Sequence, residues 1–316
     1  MRSDVPSCWL PLLQRLEADG INSNDVQPLF VRLGDSFSPA PMATKIMELF
    51  KIKFMAKPQD AGKPASQAPR IYPNVVTREN IAKIRAYLKK NARAFAYAEK
   101  TYGVPKHILA GLLMVETRLG ETIGKERAFW SLACMAAARD PEQIAAAVAS
   151  LPVTEAHMPW IRERLENRSN WAYSELKALV FFGKEQGTDI LGMPGSVYGA
   201  IGICQFMPSN LKPYAADGDG DGTIDLFTPA DAIASAGNFL KGHGWKRAMP
   251  RAQQQTALMR YNRSATYANT ILALSDALAP PKPQPKAKIP AGTAGQAQKK
   301  AAAPKAVPSK TLVPPR

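Results

Sequence analysis

From residue 9 to residue 278 apolar side chains recur at three- and four-residue spacings, and no run alternates apolar with polar residues convincingly enough to read as a strand. A chain patterned this way buries helix faces against helix faces, so a mainly α domain with a small sheet or none is expected. At 316 residues, 46% hydrophobic and 21% charged, it can fill a full core, which excludes a disordered polymer. Short amphipathic helices are expected over 9–54, the first carrying Trp9, Leu10, Leu12, Leu13 and Leu16, with a turn near Gly20 and a second segment through Leu29 and Leu33. Residues 1–55 thus form an N-terminal helical segment, and 56–76, rich in Pro, Ala, Gly and Gln, read as an exposed connection. The main domain, 77–278, should open with one long helix from Thr77 to Tyr102, stopped at Gly103, followed by a helix from Pro105 to Gly120. Further helical stretches are expected at about 129–150, 155–168, 171–186, 229–243 and 251–278.

The net charge of +15 is uneven. Residues 279–316 hold eight bases and no acid among Pro, Ala and Lys, so this tail is expected to be disordered, and the remainder carries +7. Such a balance suits any polyanion, whether nucleic acid, an anionic membrane surface or an acidic wall polymer. Cys8, Cys134 and Cys204 form no CxxC pair, and His107, His157 and His243 are scattered, so neither a disulfide framework nor a histidine metal site is expected. No apolar run approaches 18 residues, which predicts no transmembrane segment, and the first ten residues lack the apolar stretch of a secretion signal.

The segment Pro105 to Gly120 places an acid on an oily face. At 100° per residue, Leu109, Leu112, Leu113 and Leu119 fall within about 60° of Glu116. A carboxyl desolvated among leucines has its pKa raised, stays protonated near neutral pH and can donate a proton, as a glycosidase acid does. The bland reading is a solvated or ion-paired glutamate, with Arg118 or Lys125 as partner.

Asp217-Gly-Asp-Gly-Asp-Gly-Thr-Ile-Asp-Leu226 reads as a calcium loop within 217–231. Asp217, Asp219 and Asp221 stand at positions 1, 3 and 5, Gly222 allows the sharp turn, and Thr223 offers its carbonyl. Position 12 is Thr228 where glutamate is usual, so Asp231 would have to close the shell. A structural Ca²⁺ bracing a ligand-binding lobe is expected; the alternative is a solvated Asp-Gly turn. In the stretch 192–209, glycines at 192, 195, 199 and 202 let backbone approach a ligand, while Ser196, Tyr198 and Gln205 offer hydrogen bonds. Without GK[ST] it is no phosphate loop. Tyr261, Asn262 and Tyr267 supply aromatic faces and an amide suited to sugars, though tyrosines near a helix more often simply pack.

Taken in order, Val115-Glu-Thr-Arg118, Gly195-Ser196, Gly199-Ala-Ile-Gly202, Gln205-Phe-Met-Pro-Ser209, the calcium-type loop, His243-Gly-Trp245 and Tyr261-Asn262 resemble the lytic transglycosylase B family, over residues 9 to 278. The resemblance implies a lysozyme-like helical fold with a substrate groove, cleaving the β-1,4 bond between N-acetylmuramic acid and N-acetylglucosamine in peptidoglycan with a 1,6-anhydromuramic end as product. It implies Glu116 as the single catalytic acid and base. It further implies Ser196, Gln205, Tyr261, Asn262 and Tyr267 as groove-lining residues, and Asp217, Asp219, Asp221 and Asp231 as calcium ligands. No cofactor for catalysis, glycan strands as the partner, no nucleic acid, a monomer and a periplasmic location follow from the same source. A periplasmic substrate requires export, so the true start is expected upstream of Met1. Cys8, with no apolar stretch before it, is not expected to carry a lipid. Tyr198 and Cys204 depart from the family pattern, which usually has small residues there.

Three rivals stand beside this expectation, one of them a calcium-dependent structural or interaction module that binds calcium without degrading glycan. A hydrolytic lysozyme would need a second carboxylate about 5 to 9.5 Å from the first, and Glu121, just past the helix stop, is poorly placed for it. A non-catalytic wall- or polyanion-binding protein would need its basic tail and not Glu116.

Overall fold

The structure is a computed structural model that describes residues 4–55 and 70–279. The expected disordered tail, from 280 on, and most of the expected connection, 56–69, lie outside the described residues. Thirteen α-helices carry the described chain. They are α1 (Leu10–Ala18), α2 (Ser23–Leu33), α3 (Ala40–Phe50), α4 (Arg78–Lys90), α5 (Ala92–Tyr102), α6 (Lys106–Thr117) and α7 (Ala128–Ala137). There follow α8 (Pro141–Val148), α9 (Met158–Gln186), α10 (Leu211–Tyr214), α11 (Pro229–Gly242), α12 (Arg251–Tyr261) and α13 (Ala265–Leu278). The sheet is minimal: β1 (Glu126–Arg127) and β2 (Pro194–Gly195) pair antiparallel, with Glu126 opposite Gly195.

Several expected helices are divided or joined. The stretch 77–102 breaks at Asn91, whose φ of −108° leaves the helical region, so α4 and α5 pack as separate rods. The stretch 129–150 breaks at Asp140-Pro141, because a capping box on Asp140 and Gln143 starts α8 afresh. The stretch 251–278 breaks at Asn262, and Ser264 caps α13 by accepting the Tyr267 N–H. Conversely 155–168 and 171–186 fuse into the 29-residue α9, which runs without interruption through Ser169 and Asn170.

One hydrophobic cluster joins residues from α1 to α13, with Trp9, Phe30 and Phe50 from the N-terminal segment buried in it beside Phe95, Leu113 and Ile271. The N-terminal helices therefore share the core of the main domain. α6 is the central rod, buried from Ile108 through Met114. α13 packs along it, and Gly111 permits the approach: a Cβ there would lie 3.2 Å from the Ile271 carbonyl oxygen. Among the described residues no helix is long and apolar enough to cross a membrane.

Candidate active site

Glu116 is the penultimate residue of α6. Leu109, Leu112 and Leu113, expected on its face, are buried, whereas Leu119 lies past the helix end in left-handed backbone. The chain leaves α6 through Arg118, Leu119 and Gly120, at φ of 53°, 66° and 96°. Two side-chain-bearing residues in that region cost conformational energy that surrounding contacts must hold in place. Thr117 supplies such a contact: its hydroxyl donates to the Ile203 carbonyl at 2.7 Å and accepts the Gly120 N–H at 3.0 Å.

The Glu116 carboxyl has one hydrogen-bond partner that defines its chemistry. Tyr267, in the first turn of α13, donates its hydroxyl to Oε1 at 2.5 Å. Burial pushes the Glu116 pKa up to about 7, against the lowering effect of the Tyr267 hydrogen bond. The residue keeps partial solvent access while protein encloses its carboxyl. These facts agree for a side chain open on one side only, and the enclosure sets the desolvation. Arg118, a candidate partner in the sequence, instead approaches Glu121 at 3.6 Å, and Lys83 reaches the same carboxylate at 3.3 Å.

Tyr261 stacks near Tyr267, ring centroids 6.4 Å apart and 14° from parallel, and its hydroxyl donates to the Cys204 carbonyl at 2.5 Å. Burial holds both phenols well above their ordinary pKa, so both remain proton donors at any working pH. The Cys204 thiol is likewise pushed up, to about 12, chiefly by burial, with the neighbouring Glu116 adding to the rise. Tyr267 touches the acid, Tyr261 and Cys204 lie near enough for its charge to raise their pKa values, and the two hydroxyls already have protein acceptors.

The loop 195–207 is tied to this end of α6 by the Thr117 and Tyr261 hydroxyls. Isolated bridges pair Gly195 with Ile201 and Ile201 with Phe206. Gly202, at φ 73°, touches Leu226 so closely that a Cβ would sit 2.4 Å from the Leu226 Cβ. Gln205 stands at φ 51°, and its amide nitrogen donates to the carbonyls of Gly202 at 2.9 Å and Ile123 at 3.3 Å. The Ser196 hydroxyl accepts the N–H groups of Ala200 at 3.0 Å and Tyr198 at 3.3 Å, shaping the turn. Tyr198 leaves this loop toward α3, donating to Glu48 at 2.6 Å beneath the Lys45 ammonium. Asn262 is exposed at the end of α12. Tyr261 and Tyr267 are thus gathered at Glu116, while Ser196 and Gln205 belong to the loop that Thr117 and Tyr261 tie to it.

In the acidic loop, carboxylate oxygens of Asp217, Asp219 and Asp231 lie within 4.8 Å of one another. Asp231, 2% exposed, accepts the N–H groups of Gly218 and Asp225, each at 2.7 Å. Burial raises its pKa, and the nearby Asp219 and Asp217 charges add to the rise. Backbone N–H groups of Gly222 and Gly220 hold Asp217 below its ordinary value. A buried carboxylate facing two others is a hard-oxygen donor set suited to a cation. Asp221 and Thr223 are exposed, and Asp221 turns its Oδ1 to the Thr223 N–H at 2.8 Å, outside that trio.

A further acid, which the sequence reading passed over, is Glu175 on α9, buried at 5% exposure and bound to Ser209. Its signal was faint, because one glutamate in a long, mixed helix pattern looks solvated.

A helical domain that holds an enclosed carboxyl of raised pKa at the end of its central helix, beside a glycine-rich loop, has the make-up of a lysozyme-like lobe. Residues 7–257 match the family described as "Transglycosylase SLT domain", and the chain belongs to that family. It is 32% identical over 170 residues to the membrane-bound lytic murein transglycosylase B of Escherichia coli (strain K12), an alignment that takes in 54% of this chain and 40% of that protein. The fold matches the soluble lytic transglycosylase SltB1 of Pseudomonas aeruginosa with a TM-score of 0.62 at 22% identity, covering 86% of this chain and 98% of that one. It also matches the Escherichia coli lytic transglycosylase Slt35, solved in complex with calcium, with a TM-score of 0.60 at 21% identity, covering 86% and 92%.

Proposed function

We propose that the protein is a peptidoglycan lytic transglycosylase, cleaving the β-1,4 bond between N-acetylmuramic acid and N-acetylglucosamine with Glu116 as its single acid and base. The observation that carries this reading is the enclosed Glu116 carboxyl, with its pKa raised to about 7 and Tyr267 as its fixed partner. At neutral pH a large fraction of Glu116 holds a proton, which passes to the bridging oxygen as the glycosidic bond breaks. The muramyl acetamido oxygen stabilises the electron-poor anomeric carbon. The Glu116 carboxylate then takes the proton of the muramyl 6-hydroxyl, whose oxygen closes the 1,6-anhydro ring. The acid is regenerated and no water is consumed. Tyr267, donating to the carboxylate, steadies the charge present between the two proton transfers.

Within this reading Ser196, Gln205, Tyr261, Asn262 and Tyr267 line the glycan site. Tyr261, half-buried, acts through its ring face, whereas Tyr267, fully buried with its hydroxyl engaged, acts through Glu116. Calcium is structural, held by Asp217, Asp219 and Asp231, with Asp221 and the Thr223 carbonyl the further ligands read from the sequence. The site of action is the periplasm and the working form a monomer.

The hydrolytic alternative needs a second free carboxylate, and two acids it could call on are already engaged. Glu121 is paired with Lys83 and Arg118, and both oxygens of Glu175 face Ser209. Clearance of purified sacculi, followed by turbidity, tests the reading: wild type should clear them and Glu116→Gln should lose at least about a thousandfold in rate. Equal clearance by the variant refutes Glu116 as the acid, and no clearance by either protein favours a non-catalytic binder.

A further inference from the structure

Glu175 is a buried carboxylate that the reaction does not use. It projects from the middle of α9, and both of its oxygens are taken by one residue of another element: Oε2 accepts the Ser209 N–H at 2.8 Å and Oε1 the Ser209 hydroxyl at 2.9 Å. Ser209 lies in the turn Pro208–Asn210 that leads into α10, and that turn has no side-chain cap of its own. Glu175 therefore supplies from α9 the anionic cap that a helix start usually finds in its own sequence.

The cap sits at one end of the loop that Thr117 and Tyr261 tie to the end of α6. Only Met207 and Pro208 separate Ser209 from Phe206, which is bridged to Ile201 by hydrogen bonds of 2.9 and 3.0 Å. Between those bridged residues lie the Ile203 carbonyl, held by Thr117, and the Cys204 carbonyl, held by Tyr261. Gln205, in left-handed backbone, completes the loop. The loop is thus fixed at the front by Thr117, which adjoins Glu116, and by Tyr261, which stacks near the tyrosine bound to Glu116, and at the rear by Glu175. An ionised acceptor makes stiffer hydrogen bonds than a neutral one, at a desolvation cost that a cap serving only helix stability would not require.

We propose that Glu175 is a positioning residue: through Ser209 it seats the loop 202–207, and with it Gln205 and the carbonyls that order the surroundings of Glu116. The inference rests on the transglycosylase reading of Glu116. Its test is kcat/KM on soluble glycan strands for Glu175→Ala, Ser209→Ala, their double variant and Ser209→Thr, at a temperature where circular dichroism shows each protein fully folded. Each single alanine variant should lower kcat/KM about tenfold, a loss of the size that a small misplacement produces. The double variant should be no worse than Glu175→Ala, because both act through one contact, and Ser209→Thr, which keeps the hydroxyl, should restore most of the rate. Wild-type kcat/KM in either folded alanine variant, or losses that multiply in the double variant, overturns the inference. If Glu175→Ala does not fold, Ser209→Ala, which keeps the N–H bond, decides between the same two outcomes together with Ser209→Thr. Full activity of Glu116→Gln would instead refute the reading beneath it.

Discussion

Two opposing influences meet at the Glu116 carboxyl: enclosure, which favours the proton, and the Tyr267 hydroxyl, which favours the charge. Removing the second should let the first act alone. Tyr267→Phe is expected to move the basic limb of the pH–kcat profile to higher pH, because a Glu116 that binds its proton more tightly stays a competent acid further up the scale. Activity at pH 7 should still fall about ten- to a hundredfold, since the carboxylate loses its fixed donor. The raised pKa also sets a stability dependence. The folded-state value of about 7 exceeds the ordinary 4.5, so the contribution is fully present below pH 4.5 and lost as pH climbs through 7. Glu116→Gln, which cannot ionise, should therefore be more stable than wild type at pH 9 by about 1–3 kcal/mol, and near equal to it at pH 4, as read from urea unfolding. The acid itself was legible in the sequence because helical spacing alone puts Glu116 among Leu109, Leu112 and Leu113. Its partner was legible only as a resemblance: Tyr267 is 151 residues away, and no local pattern records that its hydroxyl reaches Oε1.

At the scale of elements, the sequence pattern reports which stretches are helical better than where they break. Stripes run on through Asn91, Asp140 and Asn262 because residues on both sides of each break bury apolar faces, so periodicity alone sees a single rod. The capping side chains of Asp140 and Ser264 carry the information about the break. The loop between β2 and α10 was legible as glycine-rich and as a candidate ligand contact, but its shape was not, since that depends on the distant Thr117, Leu226 and Tyr261. Gly202 is where that shape is least negotiable. Gly202→Ala combines a φ of 73° with a Cβ placed 2.4 Å from the Leu226 Cβ, so it should destabilise the fold by at least about 2 kcal/mol in thermal or urea unfolding. The folded remainder should lose activity as well, because the same loop holds Gln205 and Cys204.

For the molecule as a whole, the N-terminal helices, the α6–α13 pair and the α11 lobe with its acidic loop share one core, so a ligand that steadies one part stabilises the whole. Calcium at about a hundredfold excess over its dissociation constant should add about 2.7 kcal/mol and raise the melting temperature. Asp231→Asn, which removes the buried member of the carboxylate trio, should abolish most of that rise in a calorimetric scan with and without calcium. An equal rise in the variant would place the ion elsewhere. The most direct measurement of what the molecule does is the mass of its products. Mass spectrometry of muropeptides released from purified sacculi should show 1,6-anhydromuramic ends, one water lighter than reducing ends, from the wild type and none above background from Glu116→Gln. Reducing ends alone from the wild type would contradict a transglycosylase and make the protein a hydrolase.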